Sequence, residues 1–450
     1  MVRISPLSGF PEWLPEGRAV ERAVLETIQH TFELHGFAGI ATRAVEPIEQ
    51  LLSKGETSKE VYVLRRLQAE EGEEGASEKS LGLHFDLTVP FARYVLENAG
   101  RLAFPFKRYQ IQSVWRGERP QEGRFREFTQ ADIDIVGDGT LPFHAEVEVP
   151  VVIAEVFARL AQLGVPPVRI HVNNRKVAQG FYEGLGLSDV DGVLRSIDKL
   201  DKIGPERVSA LLQEQNGASA EQAQACLDLA AITGTDAGIA DRVLELGVRT
   251  PLLDEGLDEL VRLVEAAGRR VPGAVVADLK IARGLDYYTG SVYETTLVGH
   301  EQLGSICSGG RYDSLASDGR TTYPGVGMSI GVTRLVSRLL SADIARASRP
   351  VPTAVLVAVT DDESRPASDA VAALLRGRGI PADVAPSAAK FGKQIKFADR
   401  RGIPYVWFPG DEAHQVKDIR SGDQISADPA LWSPPEEDLW PRVTAAMERS

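Results

Sequence analysis

At 450 residues, with 43% hydrophobic and 25% charged side chains, the chain has an ordinary globular composition and exceeds what one hydrophobic core organises, so two or three domains are expected. A formal net charge of -14 argues against a general nucleic-acid coat, although a local basic surface can sit on an acidic body. Cys226 and Cys307 are the only cysteines, and neither a disulfide framework nor a zinc motif is indicated; with no apolar leader and no long apolar run, a cytoplasmic protein without membrane attachment is expected.

Residues 17–35 carry helical spacing, with Val20, Val24, Ile28, Phe32 and Leu34 along one side, and Gly36 stops the helix. A strand is expected at 37–42. After an exposed, charged segment at 70–79 come a short strand at 81–85 and a helix over 88–98. The stretch 107–137 then reads as two strands around an Arg- and Gly-rich loop. On its returning arm Phe128, Gln130, Asp132 and Asp134 share one face, and Thr129, Ala131, Ile133 and Ile135 share the other. One face packs and the other carries chemistry.

Residues 144–163 form the next predicted helix, with Val147, Val151, Ala154, Val156 and Leu160 available for burial, and a strand follows at 167–173. From 186 to 270 the chain becomes short helices with glycine punctuation and no strand pattern, which suggests a helical insertion. Strand patterns return at 274–282 and 291–298, and a last helix begins near Gly331. A Pro-containing linker at 347–352 precedes a tail alternating strand (354–360), helix (367–376), strand (382–385), helix (389–401) and strand (405–409), the pattern of a small α/β domain. In the tail's second helix Phe391, Ile395 and Ala398 make a face for burial, while Lys393, Lys396 and Arg400 make a basic exposed stripe.

Four constellations carry chemistry. In the hairpin, Arg116 and Glu118 end the first arm and Arg119, Arg124 and Arg126 crowd the loop; guanidinium forks suit phosphate oxygens, whereas Gln130 and Asp134 suit an ammonium group. The segment from Ala282 to Gly290 reads as a turn joining two strands, but turn chemistry leaves Arg283, Tyr287 and Tyr288 unexplained; Arg283 could bring a fixed charge to a reacting phosphate. The run from Ser308 to Asp313 holds paired glycines, by themselves a turn signal, through which the backbone could approach a ligand. The fourth run, from Gly325 to Arg334, has the spacing G-x-G-x-x-x-G, which matches neither a dinucleotide fingerprint nor a P-loop. Its small residues would admit a planar base, with Arg334 covering it or pairing with phosphate.

Together with Asp86-Leu-Thr88, these runs resemble the histidyl-tRNA synthetase family of class II aminoacyl-tRNA synthetases over nearly the whole chain. The hairpin is similar to class II motif 2, residues 325–334 to motif 3, and the helix and strand at 17–46 to motif 1, the usual dimer element; the proline expected at the end of motif 1 is replaced by Arg43, with Pro47 four residues on. The resemblance implies an α+β fold: a six-stranded antiparallel catalytic sheet flanked by helices, split into 1–185 and 271–345, a helical insertion at 186–270, and a C-terminal α/β anticodon-binding domain at 352–450.

It also implies roles. Arg116 would hold the ATP α-phosphate, Glu118 would contact adenine, and Arg124 and Arg334 would hold the β- and γ-phosphates or ribose. Asp86, Thr88, Gln130 and Asp134 would take the histidine amino group, Tyr287, Tyr288 and Tyr312 would line the imidazole side, and Arg283 would stabilise the reacting α-phosphate. The implied reaction is attack of the histidine carboxylate on ATP, with Mg²⁺ on the departing pyrophosphate, then transfer to the terminal adenosine of histidine tRNA by a homodimer. The alternative is the synthetase-like regulatory subunit of ATP phosphoribosyltransferase, a binding module with eroded ATP residues and no C-terminal domain.

Overall fold

The computed structural model describes residues 5–52, 60–65, 80–121, 123–282, 287–410 and 413–445. The predicted charged segment at 70–79 therefore lies outside the described residues. The chain divides into two compact units, one of residues 1–11, 25–161 and 165–338, the other of residues 12–24, 162–164 and 339–450.

The first unit is built on a nine-stranded sheet. Its centre is antiparallel throughout, in the order Phe106–Trp115, Glu127–Val136, Gly325–Gly331, Cys307–Tyr312, Ser291–Leu297, Val168–Asn174. These are the six expected antiparallel strands. The sheet extends beyond them: Ala38–Gly39 adds parallel to the first, Val275–Asp278 adds parallel to the last, and Thr233–Gly234 closes that edge.

Local signals explain much of this. In the helix Pro15–Leu34, Val20, Val24, Ile28 and Phe32 are fully buried, and Gly36 follows at φ 77°, a left-handed position that a Cβ would strain. Leu34, placed on the same side by the sequence reading, is instead exposed, because two residues beyond Phe32 the helix has turned away from the buried stripe. The helix His144–Leu160 is apolar nearly all round, and Val147, Val151, Ala154, Val156 and Leu160 are all buried.

Four expectations change. The predicted strand at 37–42 is only two residues long. The strands Val275–Asp278 and Ser291–Leu297 do not pair, because Val168–Asn174 lies between them; the Ala282–Gly290 segment is thus a crossover and not a hairpin turn. The glycine pair at 309–310 sits inside the strand Cys307–Tyr312 and makes no turn. The helical stretch 186–270 belongs to the first unit, and contrary to the strand-free reading it contributes the short strand Thr233–Gly234 to the main sheet. A helix left unassigned by the sequence, Arg175–Gly184, begins where the Asn174 side chain accepts from the Lys176 amide at 2.9 Å.

The second unit carries a five-stranded sheet in the order Ala382–Val384, Val355–Val357, Tyr405–Phe408, Gln415–Asp418, Gln424–Ser426, parallel in its first three strands and antiparallel in the rest. The last two strands follow the predicted alternation and were not expected. Helices Arg365–Gly377 and Phe391–Arg400 complete it. In the second helix Lys393, Lys396 and Arg400 are exposed as predicted, but Phe391 is 41% exposed and Gln394 occupies the buried position.

Gln394 does so by matching a backbone. Its Nε2 donates to the Val359 carbonyl at 2.8 Å and its Oε1 accepts from the Val359 amide at 3.0 Å, so one amide side chain satisfies both groups of a buried residue. Gln394→Leu strands both, and we expect a loss of about 1–3 kcal/mol in this unit, read from the urea midpoint of the fluorescence change at the buried Trp407.

Candidate active site

The strand register assembles the site in three rows. Arg108, Asp134, Gly327 and Gly310 lie opposite one another across four adjacent strands; the next row is Gln110, Asp132, Ser329 and Ser308; the third begins Gln112, Gln130 and Gly331. Ile133, Val326, Met328 and Ile330, at the alternate positions, are buried on the opposite face. The predicted split of the returning arm into a packing face and a chemical face therefore continues onto the strands beside it.

The first row makes a small, deep pocket of about 20 Å³, lined by Thr88, Asp132, Asp134, Tyr288 and Tyr312 together with the 309–310 and 327 glycines. Asp134 pairs with the fully buried Arg108 at 2.6 Å and accepts from the Tyr312 hydroxyl at 2.8 Å. Arg108 in turn lies 4.1 Å over the Phe91 ring. The glycines serve these side chains: a Cβ on Gly327 would meet Asp134 Oδ1 at 2.1 Å, and one on Gly325 would meet the Tyr312 ring at 2.5 Å. The sequence reading gave the glycines of 325–331 to a planar base, but two of the three make room for Asp134 and Tyr312.

The Tyr287 hydroxyl donates at 3.0 Å to that of Tyr288, which lines the pocket. Asp86 Oδ1 accepts from the Val89 amide at 3.1 Å, capping the helix Thr88–Asn98 and fixing Thr88 at its first turn. Burial pushes the Asp132 carboxyl up to about 7; Arg108 pulls it down, and Asp134 and Asp86 push it higher.

A larger cavity of about 280 Å³ gathers Arg116, Glu118, Arg124, Gln130, Phe128 and Arg334, and it meets the small pocket at Ser308 and Ser329. Arg116 donates from Nε to the Phe85 carbonyl at 3.0 Å and lies 5.2 Å over Phe128, while its terminal nitrogens carry no hydrogen bond among the described residues. Glu118 and Arg124 face each other across the loop at 3.6 Å. Arg334 donates from Nη1 to the Ser305 carbonyl at 2.6 Å and from Nη2 to that of Leu303. Gln130 lines this cavity and donates to Ser329 Oγ at 2.7 Å, so it stands at the junction of the two spaces, apart from the deep site of Asp134. A polyanion fits the arginine side, a small cation the carboxylate side.

Arg283 lies outside the described residues, but both approaches to its segment are tied down. Asn173 Nδ2 donates to the carbonyls of Leu279 and Ile281 at 3.2 and 2.9 Å, and past the segment the Thr289 hydroxyl donates to Asp313 at 2.6 Å. No group of three or more His, Cys, Asp or Glu among the described residues is placed to hold a metal ion. None of the described helices is long and apolar enough to cross a membrane.

The family model described as Histidyl-tRNA synthetase matches residues 9–335, and that described as Anticodon binding domain matches residues 353–428. The histidine-tRNA ligase of Micrococcus luteus is 62% identical, over 100% of this chain and 100% of that protein. The chain belongs to the histidyl-tRNA synthetase family. Among solved structures, histidyl-tRNA synthetase from Nostoc sp. PCC 7120 superposes with a TM-score of 0.82 at 36% identity, covering 95% of this chain and 97% of that one. An ATP phosphoribosyltransferase regulatory subunit/histidyl-tRNA synthetase from Bacillus halodurans shares the fold alone, with a TM-score of 0.71 at 19% identity.

Set within a histidyl-tRNA synthetase fold, the sequence reading missed Arg108 and Ser329 as parts of the site. A signal for Arg108 was present, since Arg108, Gln110 and Gln112 alternate with Tyr109 and Ile111 as a polar strand face does. Ser329 carried none, because only the register sets it opposite Asp132. The small pocket is also sensitive to added volume. A Cβ on Gly310 would meet the Ser291 carbonyl and the Tyr288 ring at 2.8 Å each. Gly310→Ala is expected to displace Tyr288 at about 1–3 kcal/mol, read as a lowered urea midpoint.

Proposed function

We propose that this chain joins L-histidine to its cognate tRNA, first forming histidyl-adenylate from histidine and ATP with release of pyrophosphate, then passing the histidyl group to the 3′-terminal adenosine. The observation that carries this reading is the contiguity of the two spaces: a carboxylate-lined pocket opens at Ser308 and Ser329 into an arginine-lined cavity. An amino acid held by its ammonium in the first places its carboxylate toward a phosphate held in the second, and such positioning supplies much of the rate of a phosphoryl-group substitution. The 62% identity to a full-length ligase and the match to an anticodon-binding domain favour this over a regulatory subunit lacking that domain.

Within that reading Arg116 neutralises the α-phosphate, with Arg283 as its counterpart from the crossover segment. Arg124 and Arg334 hold the pyrophosphate or ribose, and Glu118 contacts adenine. Asp86, Thr88, Gln130 and Asp134 take the substrate's polar groups, and Tyr287, Tyr288 and Tyr312 enclose the imidazole. Specificity then follows from buried polar groups that an analogue without the ring nitrogens leaves unpaired. Mg²⁺ would accompany the nucleotide, whose phosphate oxygens suit it, and would neutralise charge on the departing pyrophosphate. The exposed Lys393, Lys396 and Arg400 offer the tail's contact to the tRNA backbone, which accounts for tRNA recognition by an acidic protein. A cytoplasmic homodimer completes the proposal.

Incubation with ATP, radiolabelled histidine and unfractionated tRNA tests it. Acid-precipitable, base-labile histidyl-tRNA is the expected product; folded protein that charges no tRNA contradicts the assignment.

A further inference from the structure

The carboxyl of Asp132 has no role in the reading above, yet it lines the pocket and is 3% exposed. It stands in the second row, opposite Gln110 and Ser329. Its Oδ1 is buried and receives no hydrogen bond from any described residue, while the Gln110 amide is spent on Thr42 and Gln112 at 2.9 and 2.8 Å. Asp134, in contrast, is already compensated by Arg108 and by the Tyr312 hydroxyl. A group entering as a cation therefore meets one carboxyl that is engaged and one, eased only by the Ser329 hydroxyl, whose Oδ1 awaits a partner.

Charge counting defines what that carboxyl does. Among the described residues, the groups facing it are Arg108 from the hairpin's first arm, Asp134 on its own strand, Asp86 from the loop before the Thr88 helix, and Cys307 from the strand beyond Gly325–Gly331. Burial pushes the Cys307 thiol up, so it stays neutral, and the Tyr312 phenol is pushed up as well. With Asp86, Asp132 and Asp134 all ionised, three carboxylates would crowd together in a buried region beside Arg108, an arrangement that desolvation penalises. One proton on Asp132 relieves that crowding. An ammonium group that replaces that proton leaves the same net charge.

Resting on the assignment of this pocket to histidine, we propose that Asp132 carries a proton while the pocket is empty and releases it to solvent as the substrate's ammonium enters, so that amino-acid binding exchanges one cation for another. The O–H bond of the carboxyl breaks, the proton leaves through the opening at Ser308 and Ser329, and the carboxylate accepts from the ammonium N–H. The exchange selects for a cationic amine: an isosteric ligand lacking it gives the carboxylate no partner and leaves the proton in place. It also makes affinity rise with pH through neutrality, in line with the elevated Asp132 carboxyl.

Calorimetric titration of the intact protein with L-histidine at pH 7.0, in buffers of differing ionisation enthalpy, counts the protons released. Wild type is expected to release about half a proton more than Asp132→Asn, the share still bound at that pH by a carboxyl titrating near neutrality. Subtracting the variant removes the contribution of the substrate's own imidazole. Should the variant not fold, difference infrared spectroscopy of wild type decides the matter, because histidine must bleach one protonated-carboxyl band. Histidine binding with equal proton counts in the two proteins, or with no bleached band, overturns the proposal and leaves the ligase assignment standing. Absence of histidine binding to wild type overturns both.

Discussion

Replacing Arg116 with alanine is expected to slow adenylate formation by about 10²- to 10³-fold while leaving the affinity for histidine unchanged. Arg116 is held rigid by its Nε bond to the Phe85 carbonyl and by the Phe128 ring, and it lines the larger cavity. On the proposed reading, a fixed guanidinium would add little to ground-state binding of an amino acid in the neighbouring pocket, but would neutralise charge that grows on the α-phosphate as the carboxylate attacks. The loss should therefore appear in kcat of the pre-steady-state burst of adenylate, and Arg116→Lys should recover only part of it, since an ammonium cannot keep both the carbonyl bond and a bidentate phosphate contact. Arg283→Ala is expected to behave alike, losing adenylate formation while still binding histidine. Unchanged burst kinetics in either variant would remove that arginine from the mechanism.

The second large effect concerns stability and binding together. Arg108→Met leaves the Asp134 carboxylate buried without its cation, and breaking one side of such a pair costs about 3–5 kcal/mol. The expected result is a marked fall in the denaturation midpoint and loss of saturable histidine binding, because an uncompensated Asp134 takes up a proton or draws in water. Removing the second charge as well should restore much of the stability: Arg108→Met with Asp134→Asn is expected to be more stable than Arg108→Met alone, yet still deficient in histidine binding. Additive destabilisation across the cycle would mean that the ion pair is incidental to the hairpin's packing.

How much of this could be read in advance depends on the range of each interaction. The two faces of Glu127–Val136, the stop at Gly36 and the strand-to-helix change near Gly331 are local patterns of period or backbone conformation, and the sequence displays them. The pairing of Arg108 with Asp134 is not local. It depends on the hairpin register across the loop at 116–126, which no two-residue turn fixes. The glycines of 325–331 illustrate the same limit, since their purpose is set by Tyr312 and Asp134 on the flanking strands. The crossover near 283 reads as a hairpin in the sequence because the intervening strand, Val168–Asn174, arrives from far earlier in the chain. Gln394 and Phe391 exchanged places for a simpler reason: hydrophobicity ranks phenylalanine for burial, but the Val359 backbone needed a donor and an acceptor.

On the proposed reading, the carboxylate pocket and the arginine cavity act as one site that activates histidine. Exchange of labelled pyrophosphate into ATP measures that activation without any tRNA. The purified protein with MgATP is expected to catalyse exchange with L-histidine, and not with histidine analogues whose ring carries no nitrogen. Absence of exchange by folded protein, or exchange indifferent to the ring nitrogens, would contradict the account.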